Sequence, residues 1–188
     1  MSSKKEIDDA FEAFYADDTI WYEIGNLCFE DLTKVDKQYL FDKVDEFCNE
    51  RLMPRELLDF LRWAITQELD VPEDAIDKFG LLFLRSDSAT DSWFAFEIAK
   101  LYRKEAYFGN GGNRFDSPEN LRKWISISFD LASSPADYIH IIENVALVSS
   151  GLHLGDKSWG QELLKQVKSK TDDKTFKKVE KAVKSILA

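Results

Sequence analysis

The sequence predicts an all-α protein of about ten helices, joined by short connections that favour antiparallel pairing of consecutive helices. Three observations support this prediction. Apolar residues recur at helical spacing along nearly the whole chain, four prolines stand where such stretches begin, and no stretch alternates with a period of two. Apolar residues make up 44% of the 188 residues and aromatic residues 13%, which excludes a disordered chain and is enough for one ordinary core.

The apolar stripes place the helices from the N-terminus onwards. In the first, Ile7, Ala10, Phe11, Phe14 and Tyr15 lie at offsets 0, 3, 4, 7 and 8, so they share one side of a helix. The predicted helices span 4–16, 19–31, 36–51, 54–69, 72–85, 91–108, 118–132, 135–150, 156–169 and 173–187. The same stripes predict a buried core of Phe41, Val44, Phe47, Leu61, Ile65, Phe79, Phe83, Ile98, Leu101, Trp124, Ile142, Val145, Trp159, Val179 and Val183.

The prolines mark the starts of four helices. A proline at the first helical position lacks only an N–H group that would be unpaired there in any case. An acidic residue follows each proline within two positions, where a carboxylate interacts favourably with the helix dipole. Ser117 and Ser134 directly precede two of the prolines and are predicted N-caps. The four predicted helix starts are Pro54, Pro72, Pro118 and Pro135.

A weak internal repeat appears in the C-terminal third of the chain. Trp124 and Trp159 are 35 residues apart, each near the start of a predicted helix, and the helices that follow align at a step of 37. Near the N-terminus, Trp21, Ile24 and Gly25 match the opening of the tetratricopeptide pattern. The chain therefore resembles tetratricopeptide-like helical repeats, and this resemblance implies a solenoid with an extended binding face. The alternative is a non-repetitive helical bundle.

The same features suggest how the chain is divided. We expect a single all-α domain over residues 1–188. Within it, an acidic helical half at 1–108 and a repeat-like half at 118–188 are separated by the long connection from Gly109 to Ser117.

The residue types that usually carry chemistry are few. His140 lies in an apolar helix and His153 in a loop, and neither has the spacing of a zinc or acid–base motif. Cys28 and Cys48 fall on apolar stripes, so we expect buried thiols. The segment Gly109–Asn113 is glycine-rich but follows a helix rather than a strand, so we expect a helix cap and a loop. The sequence thus predicts no catalytic residue, metal site or cofactor.

The charge is distributed unevenly. The chain carries 25 basic and 35 acidic side chains, a net charge of −10 that argues against a nucleic-acid partner. Residues 1–84 carry 9 basic and 21 acidic side chains, whereas residues 157–188 carry 9 basic and 4 acidic ones. The lysines of the last helix are interpreted as a solvated face, with an anionic or membrane-surface contact as the alternative. No apolar run is long enough to span a membrane and no signal peptide is evident, so we expect a cytoplasmic protein without a membrane partner.

The acidic part of the chain is the predicted partner-binding surface. Its expected contributors are Asp42, Asp45, Glu46 and Glu50, because the first three lie at offsets 0, 3 and 4 and share one face of a helix. Such a face would attract a basic protein. In size, charge and composition the chain is similar to helical immunity proteins of bacterial contact-dependent growth inhibition systems. This resemblance implies a non-enzymatic protein that occludes a basic toxin domain, such as a nuclease.

Two other functions remain open on the sequence. The second interpretation is an adaptor or regulatory helical-repeat protein without a toxin partner. The third is an enzyme or small-ligand binder that uses a cleft between helices.

Overall fold

The computed structural model describes residues 3–17, 32–51, 54–66, 68–71, 74–104 and 115–188, and every regular element in these ranges is helical. The all-α prediction is therefore confirmed for the described ranges, which contain nine α-helices rather than ten; the predicted helix at 19–31 lies outside them. A 3₁₀ helix, Asp87–Thr90, precedes α5. The α-helices are α1 (Ser3–Asp17), α2 (Lys34–Arg51), α3 (Pro54–Thr66), α4 (Ala75–Arg85), α5 (Ser92–Lys100), α6 (Pro118–Leu131), α7 (Pro135–Ala146), α8 (Lys157–Lys170) and α9 (Asp173–Leu187).

Three of the four predicted proline starts are confirmed at the first residues of α3, α6 and α7. The fourth, Pro72, lies outside the described residues, and α4 begins at Ala75. Both predicted serine caps are present: the hydroxyl oxygen of Ser117 accepts from the N–H of Asn120 at 3.4 Å, and that of Ser134 from the N–H of Asp137 at 3.3 Å. The carboxylate of Asp137 accepts in return from the N–H of Ser134 at 2.8 Å, which completes a capping box.

The prediction of one helix over 91–108 is wrong at its C-terminal end, because α5 ends at Lys100. The N–H groups of Leu101, Tyr102 and Arg103 donate to carbonyls three residues earlier, which tightens the chain into turns. The carbonyl of Tyr102 then accepts from the N–H of Ser117 at 2.9 Å, so the chain returns to this point just before α6. The spacing of apolar residues within a helix cannot predict a hydrogen bond between residues so far apart in the sequence.

The first compact unit spans Met1–Ala75. In it α2 packs against both α1 and α3, and the rings of Phe11 and Phe47 meet edge to face with centroids 6.1 Å apart. The hydroxyl of Tyr39 donates to the carboxylate of Asp8 at 2.5 Å, which adds a polar tie between α1 and α2.

The second compact unit spans Ile76–Ala188, and α5 and α6 share the most extensive contacts in it. Where the start of α5 meets the last turn of α6, two buried serines bond reciprocally: the Ser92 hydroxyl donates to the carbonyl of Ser128 at 2.8 Å, and the Ser128 hydroxyl to that of Ser92 at 2.7 Å. Because both hydroxyls are satisfied internally, the two helices approach closely without an unpaired polar group. The expected single domain with a sub-division between 108 and 118 stays a prediction.

All fifteen side chains predicted for the core are buried, from Leu61 and Val44 at 0% exposed to Trp159 at 9%. The aromatic members of the second unit form a cluster. Phe83 contacts both Phe94 and Trp124, with ring centroids 5.1 and 5.9 Å apart. The offsets of the apolar stripes thus identified these fifteen buried positions correctly.

The indole of Trp124 lies directly on the backbone of α4 at Gly80, which gives a test of this packing. A Cβ atom at position 80 would come within 2.2 Å of Trp124 Cζ2, and the buried indole is a rigid group. We expect Gly80→Ala to lower the free energy of unfolding by about 1–2 kcal/mol, because overpacking outweighs the gain in helix propensity. The measurement is urea denaturation followed by circular dichroism.

Gly151→Ala is the matched control, since a Cβ atom there would meet only Asn144 Oδ1 at 3.7 Å, an ordinary contact. We expect this control to leave the unfolding midpoint unchanged. Equal midpoints for the two variants would contradict the close contact between α4 and α6.

Candidate functional site

Two of the predicted partner-binding carboxylates border a small cleft in the first unit, between α1 and α2. We call it the acidic cleft. It has a volume of about 220 Å³ and is lined by Phe11, Lys43, Glu46, Phe47 and Glu50. Glu46 and Glu50 are exposed and one helical turn apart, so both carboxylates reach the rim, while the two phenylalanine rings form its apolar wall.

The other two predicted residues do not line this cleft. Asp42 is exposed and accepts a hydrogen bond from the amide of Gln38 at 2.9 Å. Asp45 is half-buried, and its carboxylate accepts from the amide of Asn49 at 3.1 Å. The structure therefore brings together Glu46 and Glu50, and places Asp42 and Asp45 beside them on α2 with polar partners of their own.

Among the described residues that line the cleft, Lys43 is the basic one, and it has an acidic neighbour of its own. The Lys43 ammonium group is 3.5 Å from the carboxylate of Asp8. The hydrogen bond from Tyr39 holds the pKa of Asp8 below its ordinary value, so the carboxylate stays charged opposite Lys43. The rim carboxylates and aromatic wall suit an incoming arginine or lysine, whose alkyl stem would contact the rings while its charged head meets Glu46 and Glu50.

A larger open groove lies in the second unit, between α8 and α9. We call it the lysine groove. Its volume is about 700 Å³, and its apolar floor includes Leu164, Phe176 and Leu187. Two rows of ammonium groups border this floor, one from each helix, and the rim also carries one carboxylate, that of Glu180. The lysines of the rim are Lys165 and Lys168 on α8 and Lys177, Lys181 and Lys184 on α9.

Sequence reasoning missed this groove. The sequence predicted Val179 and Val183 of α9 in the core and a solvated lysine face opposite them, and both valines and Leu187 are buried. Phe176, however, is only half-buried and lines the groove, with the ammonium group of Lys168 5.8 Å from the centre of its ring. The sequence feature that could have predicted the groove is that lysines flank apolar residues on two consecutive helices.

His140 has the interior position expected of it. Its ring stacks on the indole of Trp93 with centroids 3.9 Å apart, and the indole N–H donates to the carboxylate of Asp137 at 2.8 Å. Burial lowers the pKa of His140 to about 4; the nearby ammonium group of Lys100 acts in the same direction and Asp137 opposes it. The ring is therefore neutral at pH 7. His153 is exposed in the loop between α7 and α8, as expected.

Within the part of the chain that the structure describes, three or more His, Cys, Asp or Glu side chains nowhere come together in a way that could hold a metal ion. None of the described helices combines the length and apolar character needed to cross a membrane. Cys48 is buried, as expected. Cys28 and the glycine-rich segment 109–113 lie outside the described residues.

Comparison with protein-family models, with curated proteins and with solved structures finds no match to this chain.

The buried neutral state of His140 predicts a pH dependence of stability. An unfolded histidine titrates near pH 6.5, so between about pH 6.5 and 4 the unfolded chain binds a proton that the folded chain does not. The stability due to the neutral ring is complete above pH 6.5 and is lost as the pH falls towards 4. We expect the advantage of the wild type over His140→Phe to shrink by about 2 kcal/mol over this range.

Urea denaturation at pH 7.0 and 4.5 measures this difference. If the difference between the wild type and His140→Phe were the same at both pH values, the neutral buried state of His140 would be wrong.

Proposed function

We propose that this protein acts by binding a basic partner protein through the acidic face of α2. The observation that carries the proposal is the acidic cleft, where the carboxylates of Glu46 and Glu50 stand at the rim of an aromatic-walled pocket. Asp42 extends the same exposed face by one turn, so an approaching basic surface meets a row of carboxylates. Arginine pairs with carboxylates in a planar, bidentate geometry, which makes it the side chain best matched to this cleft.

The charge of the surrounding chain supports the same proposal. Residues 1–84 carry twelve more acidic than basic side chains, and such a field raises the association rate of a basic protein. As the specific form of this function we propose an immunity protein that occludes a basic toxin domain, with carboxylates in place of the phosphates of a nuclease substrate. A toxin gene directly upstream in the genome would support this form.

We also propose that the helices of the second unit form a helical-repeat arrangement. This is supported by the contact pattern, in which α7 packs against α8 and also against α9, and α5 against α6 and also α7. Contacts with the next helix and the next but one are typical of stacked helix pairs. In such an arrangement binding surfaces lie along the stack, which suits recognition of another protein.

The test uses affinity capture from the organism of origin, followed by surface-plasmon kinetics at two salt concentrations with the protein captured. We expect one dominant basic partner. The double variant Glu46→Gln/Glu50→Gln should slow its association at least about threefold at low salt, since steering by charge acts mainly on the association rate. The effect should diminish at high salt because exposed charges are screened.

Glu6→Gln/Glu68→Gln is the matched control. Both residues are exposed in the first unit, neither lines the acidic cleft, and the change in net charge is the same. If the control slowed association as much as the cleft variant, only the overall charge would matter. Capture of neutral or acidic partners alone would favour the adaptor interpretation and overturn the proposal.

A further inference from the structure

We propose that the lysine groove is a second docking site, and that it binds an amphipathic α-helix of a partner protein whose apolar stripe is flanked by acidic residues. This site is separate from the acidic cleft and does not depend on the function proposed for it. The two surfaces prefer opposite charges, so they select different segments of a partner or different partners.

The charges of the groove select an acidic occupant. Lys177, Lys181 and Lys184 follow one another at steps of four and three residues along α9, so they form a row on one side of the floor. Lys165 and Lys168 form the corresponding row on α8. Among the described side chains that line the groove, Glu180 is the acidic one, so the five lysines leave a surplus of four positive side-chain charges. A ligand with carboxylates on both sides of an apolar stripe would pair with both rows at once.

The apolar floor favours a ligand that has a stripe of apolar side chains over a small anion. Leu164, Phe176 and Leu187 lie between the two rows of ammonium groups, and the lysine stems add further apolar surface beside them. An α-helix places apolar residues at i, i+3, i+4 and i+7 on one side, which is the pattern that fills an elongated groove between two helices. The groove follows helices of 14 and 15 residues, long enough to accommodate about four turns of a partner helix.

The apolar floor argues against an extended anionic surface as the occupant. A lipid headgroup surface or a nucleic acid would pair with the lysines, but its charged surface would leave the floor of Leu164, Phe176 and Leu187 without an apolar partner. A single amphipathic helix covers this floor with its apolar stripe and reaches both lysine rows with its carboxylates.

The experiment is fluorescence anisotropy with a labelled synthetic peptide of about 18 residues that has leucine on one helical face and glutamate elsewhere. A second peptide with lysine in place of every glutamate is the charge control. We expect the wild-type protein to bind the acidic peptide and not the basic one. Lys177→Glu/Lys181→Glu should weaken binding of the acidic peptide about tenfold or more, because two attractive pairs become repulsive.

Lys174→Glu/Lys178→Glu is the matched protein control. These lysines are exposed on the same helix, do not line the groove, and give the same change in net charge. We expect this variant to change the affinity less than about twofold. Circular dichroism is used to check that both variants keep the helical fold of the wild type.

Three results would overturn the proposal. The first is the absence of binding to the acidic peptide. The second is an equal loss of affinity in the two double variants, which would mean that the peptide senses only overall charge. The third is binding to vesicles of phosphatidylserine and phosphatidylcholine that Lys177→Glu/Lys181→Glu abolishes, with no binding to the peptide, because the occupant would then be a lipid surface.

Discussion

The absence of a side chain at Gly160 is the constraint on which the C-terminal part of the second unit depends. A Cβ atom there would lie 2.8 Å from Leu187 Cδ2, closer than real Cβ atoms come, and 3.1 Å from the Cβ of Ala146, tighter than most such contacts. Glycine therefore lets α7, α8 and α9 converge at one point, and the amide of Gln161 then donates to the carbonyl of Leu187 at 3.2 Å. Because Leu187 also lines the lysine groove, the same contact positions the floor of that groove.

Each of the two surfaces proposed for binding combines apolar and charged parts that come from different helices. Phe11 of α1 provides part of the wall of the acidic cleft, while Glu46 and Glu50 of α2 provide its charge. In the lysine groove both helices contribute lysines around a shared floor. The net charge of −10 does not reveal this arrangement, because it sums an acidic first part of the chain and a last part in which basic side chains are in excess.

Sequence patterns that extend over one or two helical turns predicted the features that depend on interactions over the same range. The offsets of apolar residues identified the buried faces, and the serines before Pro118 and Pro135 identified two helix starts, because caps and stripes are set within about one or two turns. The end of α5 was predicted wrongly since it coincides with the distant bond between Tyr102 and Ser117. The spacing of acidic residues along α2 predicted its acidic face. The acidic cleft also depends on Phe11 of α1, and the lysine groove depends on the relative position of α8 and α9. The spacing of residues along a single helix indicates neither of these.

The contact pattern of the second unit also bears on how quickly it can assemble. Its helices pack mainly against the next helix or the next but one. Such contacts close short loops at a small entropic cost, and domains dominated by them fold in microseconds to milliseconds. Only Thr171 and Asp172 connect α8 with α9, so the two helices that border the groove are already near one another when they form. The groove proposed as a docking site is therefore formed within a segment of about thirty residues, and bringing its two sides together costs little loop entropy.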